Sequence, residues 1–67
     1  MGYFCKSSYE LSDEKLRRLS SNLKNCEIRY IGKVKGENRF DYYIEKDSLS
    51  PREKELIEES DLRFFGH

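Results

Sequence analysis

The sequence predicts an α+β domain in which two helices cover one face of an antiparallel sheet. Three observations predict this class. Apolar residues alternate with polar ones in two central segments and resume an extended pattern near both ends of the chain. Two segments with helix-start signals separate the extended ones, and a glycine-containing turn joins the central pair. The length of 67 residues suffices for a single small domain, 1–67.

The first helix is predicted to begin at Ser12, because serine caps helix N-termini and the two acids that follow it suit the positive end of the helix dipole. It is predicted to end at Asn25, since asparagine tolerates the left-handed conformation found at helix ends. Its apolar stripe repeats at helical spacing and consists of Leu16, Leu19 and Leu23.

A β-hairpin is predicted from Cys26 to Ile44, where the apolar period changes to two and Gly36, Glu37 and Asn38 form the turn. A three-residue loop with Asn38 in the left-handed conformation keeps apolar residues opposite one another, whereas a two-residue loop mixes the faces. The predicted inner pairs are Val34 with Phe40, Gly32 with Tyr42 and Tyr30 with Ile44, and the outer pairs are Lys33 with Asp41, Ile31 with Tyr43 and Arg29 with Glu45.

The second helix is predicted to run from Ser50 to about Ser60. A capping serine, a proline at the first helical position and a glutamate three residues after the cap form the strongest local signal in the chain. Short terminal strands are predicted around Phe4 and Phe64. The order strand, helix, strand, strand, helix, strand resembles the ferredoxin-like, split βαβ arrangement. A three-stranded variant that lacks a firm terminal strand is the alternative.

Charge is balanced over the whole chain but divided along it. Eight basic and four acidic residues lie in 1–36, giving +4, and five basic and nine acidic residues lie in 37–67, giving −4. A divided charge favours oriented docking, either on a second copy of this chain in a homodimer or on a complementary partner. No apolar stretch approaches the roughly 18 residues that cross a membrane, so we expect a cytoplasmic protein without a membrane partner.

Candidate catalytic residues are scarce, and we assign none. The single histidine, His67, is the last residue, where a base is poorly held in place. The glycines are isolated rather than grouped in a phosphate-binding loop, and no Cys/His spacing fits a metal site. We therefore expect no enzyme activity, no cofactor and no metal. A thiol nucleophile at Cys5 or Cys26 is the alternative, and we expect both thiols to be reduced.

The outer face of the hairpin is the candidate binding site. In the predicted register Ile31 and Tyr43 lie side by side inside a charged rim, which is the pattern of a protein interface. We therefore expect a small non-enzymatic protein-binding module, acting as an inhibitor, regulator or adaptor, of the kind that phages and mobile elements carry, for example against host defence. Ordinary cross-strand packing is the alternative for this pair. The predicted rim consists of Arg29, Lys33, Asp41 and Glu45.

Single-stranded RNA or DNA is the alternative partner. Open four-stranded sheets with strand aromatics stack nucleobases, and the segment 39–44 places aromatics after a basic residue, loosely similar to a ribonucleoprotein motif. The segment lacks the small residues of that motif, and Asp41 and Glu45 flank its outward tyrosine. A neutral chain also offers little attraction for phosphates. The contacts expected under this alternative are Arg29, Lys33, Lys35 and Tyr43.

Overall fold

The structure, a computed structural model, describes residues 2–24 and 26–65. Its elements follow the predicted order, and the α+β class is confirmed. Asn25, the predicted helix end, and His67 lie outside the described residues. The elements are β1 (Gly2–Ser7), α1 (Asp13–Asn22), β2 (Glu27–Lys33), β3 (Phe40–Glu45), α2 (Pro51–Glu59) and β4 (Arg63–Phe64).

Both helices begin at the predicted serine caps. The Ser12 hydroxyl accepts a hydrogen bond from the Lys15 amide at 3.1 Å. In α2 the capping is reciprocal, because the Ser50 hydroxyl accepts from the Glu53 amide at 3.2 Å and the Glu53 carboxylate accepts from the Ser50 amide at 2.9 Å. The Ser50 amide thereby lowers the pKa of Glu53. In the part of the chain that the structure describes, no helix is long and apolar enough to cross a membrane.

The strands form one antiparallel sheet in the order β2-β3-β1-β4. The central strands β1 and β3 pair along their whole six-residue lengths. β4 is only two residues long and pairs with Cys5 and Lys6 of β1. The predicted terminal strand is therefore present, but it covers a small part of the β1 edge.

One face of the sheet carries the core. Cys5, Tyr42 and Ile44 occupy alternate, inward positions of the central strands and are fully buried. Leu19 of α1 and Ile57 of α2 pack in the same cluster, so both helices cover this face. The other buried members of the cluster are Leu11, Leu23, Leu49 and Leu62. A domain of this size buries little apolar surface in total, so each of these core residues contributes a large share of the free energy of unfolding.

The predicted hairpin register is wrong by two residues along most of β2. Tyr30 lies opposite Tyr42 rather than Ile44, and Arg29 lies opposite Tyr43 rather than Glu45. Because side chains alternate between faces with a period of two, a shift of two positions leaves each of these residues on its predicted face. The identity of the cross-strand neighbours changes, but the inward and outward sets largely persist.

A β-bulge near the middle of β2 changes the register a second time. Ile31 is the extra residue, because pairing is interrupted between Tyr30 and Gly32. Beyond the bulge Lys33 lies opposite Phe40, one position from its predicted partner Asp41. Ile31 therefore does not lie beside Tyr43 as predicted.

The turn explains where the predicted register fails. The Val34 amide donates a hydrogen bond to the Arg39 carbonyl at 2.8 Å, so four residues, 35–38, lie between the pair that closes the turn, instead of the three that were predicted. Gly36 takes the left-handed conformation with φ 80°, and Asn38, which was predicted to take it, does not. Glycine has no Cβ and adopts this conformation without steric cost, so it displaces asparagine from that role.

The phenol of Tyr42 joins the sheet to the segment that precedes α1. The side chain is fully buried, and its hydroxyl oxygen accepts a hydrogen bond from the Leu11 amide at 2.8 Å. The ring lies 5.2 Å from the ring of Tyr30, centroid to centroid. Burial raises the pKa of Tyr42, since the charged phenolate is poorly solvated there. Leu11 lies outside helix and strand, so this tyrosine supplies a partner to its buried amide.

The substitution Tyr42→Phe tests this anchor. We expect the free energy of unfolding to fall by about 1–3 kcal/mol, because the buried Leu11 amide loses its acceptor while the ring packing is kept. Urea denaturation followed by circular dichroism measures the change. Tyr43→Phe is the matched control, since Tyr43 points away from the core, and it should change stability by less than about 0.5 kcal/mol. Equal stability of the two variants would contradict the anchoring role.

Candidate binding face

The sheet face opposite the helices carries no covering element within residues 2–24 and 26–65, and we call it the open face. Its side chains come from the outward positions of the four strands and from the residue that follows β4. These side chains are Phe4, Lys6, Glu27, Arg29, Asp41, Tyr43, Glu45, Arg63 and Phe65. Aromatic residues thus lie on the middle strands and charged residues lie around them.

Phe4 and Tyr43 form a ring pair at the centre of the open face. They are directly opposed in the β1–β3 register, and their ring centroids lie 5.0 Å apart with an interplanar angle of 58°. Phe4 is 55% exposed, although a phenylalanine in a stable domain is usually buried. The ring pair therefore presents apolar surface to solvent on the two central strands, which are the best supported part of the sheet.

Gly2 gives the Tyr43 ring its position. A Cβ at this residue would lie 2.4 Å from Cζ and Oη of Tyr43 and 2.4 Å from the Ile44 carbonyl oxygen. The phenol ring therefore lies close over the backbone of β1, where only glycine leaves enough room. This contact holds Tyr43 partly buried beside Phe4 and turns the ring pair into a fixed surface.

The predicted binding residues are distributed differently from the expectation. Arg29 lies opposite Tyr43, and Ile31 is 54% exposed at the bulge. Lys33 pairs with Phe40 at the end of β2, and Lys35 lies in the exposed turn. The structure thus brings Arg29, Asp41, Tyr43 and Glu45 together on the open face, places Ile31 at the β2 edge, and leaves Lys33 and Lys35 near the turn.

Most charges on the open face are paired with charges of opposite sign. Arg29 lies 2.9 Å from a carboxylate oxygen of Glu27 and 3.2 Å from one of Glu45. The hydrogen bond to Glu27 raises the pKa of Arg29. Arg39 binds the carboxylate of Asp41 through two nitrogens, at 3.1 and 3.4 Å. The rim is therefore a set of ion pairs with almost no net charge.

The two consecutive phenylalanines at the end of the described chain point to opposite faces, as strand geometry requires. Phe64 packs against the core, with its ring 6.1 Å from that of Tyr3. The Phe65 amide donates a hydrogen bond to the Phe4 carbonyl at 3.1 Å. The Phe65 ring lies between two cations, 5.4 Å from the Lys6 ammonium and 5.2 Å from the Arg39 guanidinium. Phe65 extends the apolar centre toward the β4 edge.

The sequence analysis missed Phe4, Gly2 and Phe65 as members of the site. A signal for Phe4 existed, because it lies between Tyr3 and Cys5, which share the inward face. The contribution of Gly2 had no local signal, since it depends on the pairing of β1 with β3. The ring pair therefore replaces the predicted Ile31–Tyr43 pair as the centre of the site.

Burial disfavours the thiolate form of both cysteines. Cys5 is fully buried, and burial raises the pKa of its thiol to about 12, so it stays protonated. Partial burial also raises the pKa of Cys26. Both cysteines are free thiols. Among the described residues, no group of three or more His, Cys, Asp or Glu side chains is placed to hold a metal ion.

Comparison of the chain with protein-family models, with curated proteins and with solved structures finds no significant match. The candidate site is defined by three features of its geometry: an exposed ring pair on the central strands, the Tyr43 ring close over Gly2, and an ion-paired rim.

The substitution Gly2→Ala tests how the ring pair is held. The added Cβ forces either the Tyr43 ring or the β3 backbone to move, so we expect a loss of about 1–3 kcal/mol in stability. We also expect weaker nuclear Overhauser effects between the rings of Phe4 and Tyr43. Ser8→Ala, at an exposed loop position, serves as the control. Unchanged stability together with unchanged ring contacts would show that Gly2 does not position Tyr43.

Proposed function

We propose that this chain is a small, non-enzymatic protein-binding module that acts through its open face as an inhibitor, regulator or adaptor of a protein partner. The ring pair is the observation that carries the proposal. We further propose that the domain has the ferredoxin-like, split βαβ arrangement, on the basis of its element order and its strand order β2-β3-β1-β4. In that arrangement one sheet face stays available for a partner.

The chemistry of the open face favours a protein over a charged polymer. A ring pair at the centre with charged residues outside it has the composition of an interface core and rim. Arg29 and Arg39 already pair with acids of the same face, so among the described residues of this face Lys6 and Arg63, at its β4 end, are the cations left to attract a polyanion. The complementary partner has an apolar side chain that fits against Phe4 and polar groups of both signs around it.

Single-stranded nucleic acid is the second candidate, and one observation favours it. Phe4 and Tyr43 lie on neighbouring central strands, where two exposed rings can each stack on a nucleobase. The ion-paired rim disfavours it, because phosphate binding depends on cations that release counterions. The salt dependence of binding separates the two candidates: a nucleic-acid complex weakens steeply as salt rises, and an apolar-centred protein complex changes little.

The test is affinity capture from a lysate of the source cells with four immobilised proteins. They are the wild type, Phe4→Ser, Tyr43→Ala and the control Arg17→Gln, which changes an exposed residue of α1. Each capture is divided into nuclease-treated and untreated halves and washed at low and at high salt. We expect a stoichiometric protein that survives nuclease and high salt and is retained by Arg17→Gln. Removing the exposed ring should weaken binding of this partner at least about ten-fold, which corresponds to a hot-spot residue.

Two results would overturn the proposal. A partner retained equally by the wild type and both open-face variants would place the binding surface elsewhere on the domain. A partner lost after nuclease treatment or at high salt would move the assignment to single-stranded nucleic acid. Circular dichroism of each variant establishes that it is folded before the captures are compared.

A further inference from the structure

A basic cleft lies at the end of the sheet, beside the open face. Its volume is about 450 Å³, and it lies where β1, the start of β3 and the α2–β4 connection meet. The cations Lys6, Arg39 and Arg63 line it together with the polar side chains of Ser8 and Asn38 and the carboxylate of Asp61. Three positive charges thus surround one small volume in a chain whose total charge is zero.

Two of these cations are placed against each other by the sheet itself. Lys6 of β1 and Arg63 of β4 are directly opposed in the antiparallel pair, so their side chains share a face. Like charges at directly opposed positions destabilise a sheet. β4 is also the shortest strand, so this repulsion acts where pairing is weakest. A bound anion would remove the repulsion, because it attracts both side chains at once.

The acid in the cleft is already engaged by other groups. Asp61 lies 2.9 Å from the Lys15 ammonium and accepts a hydrogen bond from the Tyr9 hydroxyl. Tyr9 in turn accepts a hydrogen bond from Lys15 at 2.7 Å. The hydrogen bonds from Tyr9 and Lys15, together with the positive charges of Lys15 and Arg63, hold the pKa of Asp61 below its usual value. Through its salt bridge with Lys15, Asp61 links α1 to the α2–β4 connection.

Lys6 and Arg63 keep unused capacity for an anion. Arg63 donates to the carbonyls of Glu58 and Leu62, at 3.2 and 3.3 Å, through a single nitrogen. The Lys6 ammonium lies over the Phe65 ring. Among the described residues, no carboxylate forms a salt bridge with either cation, but Asp41 lies directly opposite Lys6 on β3, and Asp61 lies near enough to Arg63 for their charges to interact. Arg39 differs, since it is bound to Asp41.

We propose that this cleft binds a dianionic oxyanion of the phosphate class, between the opposed side chains of Lys6 and Arg63. The cleft residues Lys6, Arg39 and Arg63 carry three positive charges against the one negative charge of Asp61, and a phosphate-class dianion balances this excess better than a singly charged carboxylate or phosphodiester does. Ser8 and Asn38 also line the cleft, and both residue types carry neutral hydrogen-bond donors. Lys6 belongs to both the open face and the cleft, but phosphate binding can be measured without a protein partner, so either assignment can fail without the other.

The proposal is tested by titrating the protein with inorganic phosphate. Amide chemical shifts measure binding, and Tm measures the change in stability. A second titration with O-phosphoserine distinguishes a site for free phosphate from a site for a phosphomonoester. A titration with sodium chloride at equal ionic strength controls for screening of the charges. We expect saturable shifts around Lys6, Ser8 and Arg63 at millimolar ligand, and a higher Tm with ligand. Tighter binding of either compound identifies the source of the phosphate group.

Variants locate the site. Lys6→Gln and Arg63→Gln should each weaken phosphate binding about ten-fold, because each removes one charge-assisted contact. Both should remain folded without ligand, since each relieves a like-charge pair. Lys6→Arg should keep binding, and Arg17→Gln, on α1, should leave it unchanged. The proposal is overturned if no saturable shift occurs, or if Lys6→Gln and Arg63→Gln bind phosphate as the wild type does.

Discussion

Tyr42 accepts a hydrogen bond from the Leu11 amide inside the core, and this contact ties the centre of the sheet to the segment that leads into the first helix. Tyr42 lies on β3, which pairs with β1 on one side and β2 on the other. Its side chain lies on the face where Leu19 of α1 and Ile57 of α2 complete the core. Because side chains alternate along a strand, the position of Tyr42 also directs Tyr43 to the opposite face.

A chain of 67 residues has few large apolar side chains to divide between the two faces of its sheet. The inward face uses most of the large apolar side chains, yet Phe4 stays 55% exposed on the outward face. Burying the exposed half of Phe4 against a partner would contribute on the order of 1–1.5 kcal/mol that the isolated domain does not gain. The basic cleft holds a comparable electrostatic cost, since Lys6 and Arg63 are directly opposed like charges and neither forms a salt bridge among the described residues. Both features are costs to the isolated domain that a ligand or partner can offset.

Local signals predicted the parts of the fold that depend on neighbouring residues. The caps at Ser12 and Ser50 follow from serine with suitable residues in the next turn, and both are present. The hairpin register depends on whether Gly36 or Asn38 takes the left-handed turn position, and it also depends on the bulge at Ile31. The alternation of apolar residues specifies neither of these. The ring pair was beyond the sequence analysis because it requires β1 to lie beside β3.

Hydrogen exchange of the Leu11 amide is the most direct test of this account. Leu11 lies in a connecting segment outside helix and strand, where amides ordinarily exchange quickly, and Tyr42 is its acceptor. We predict that this amide exchanges as slowly as those of the central strands β1 and β3, while the amide of the neighbouring residue Glu10 exchanges rapidly. Rapid exchange at Leu11 would contradict the account, because Tyr42 would then not join the sheet to the first helix.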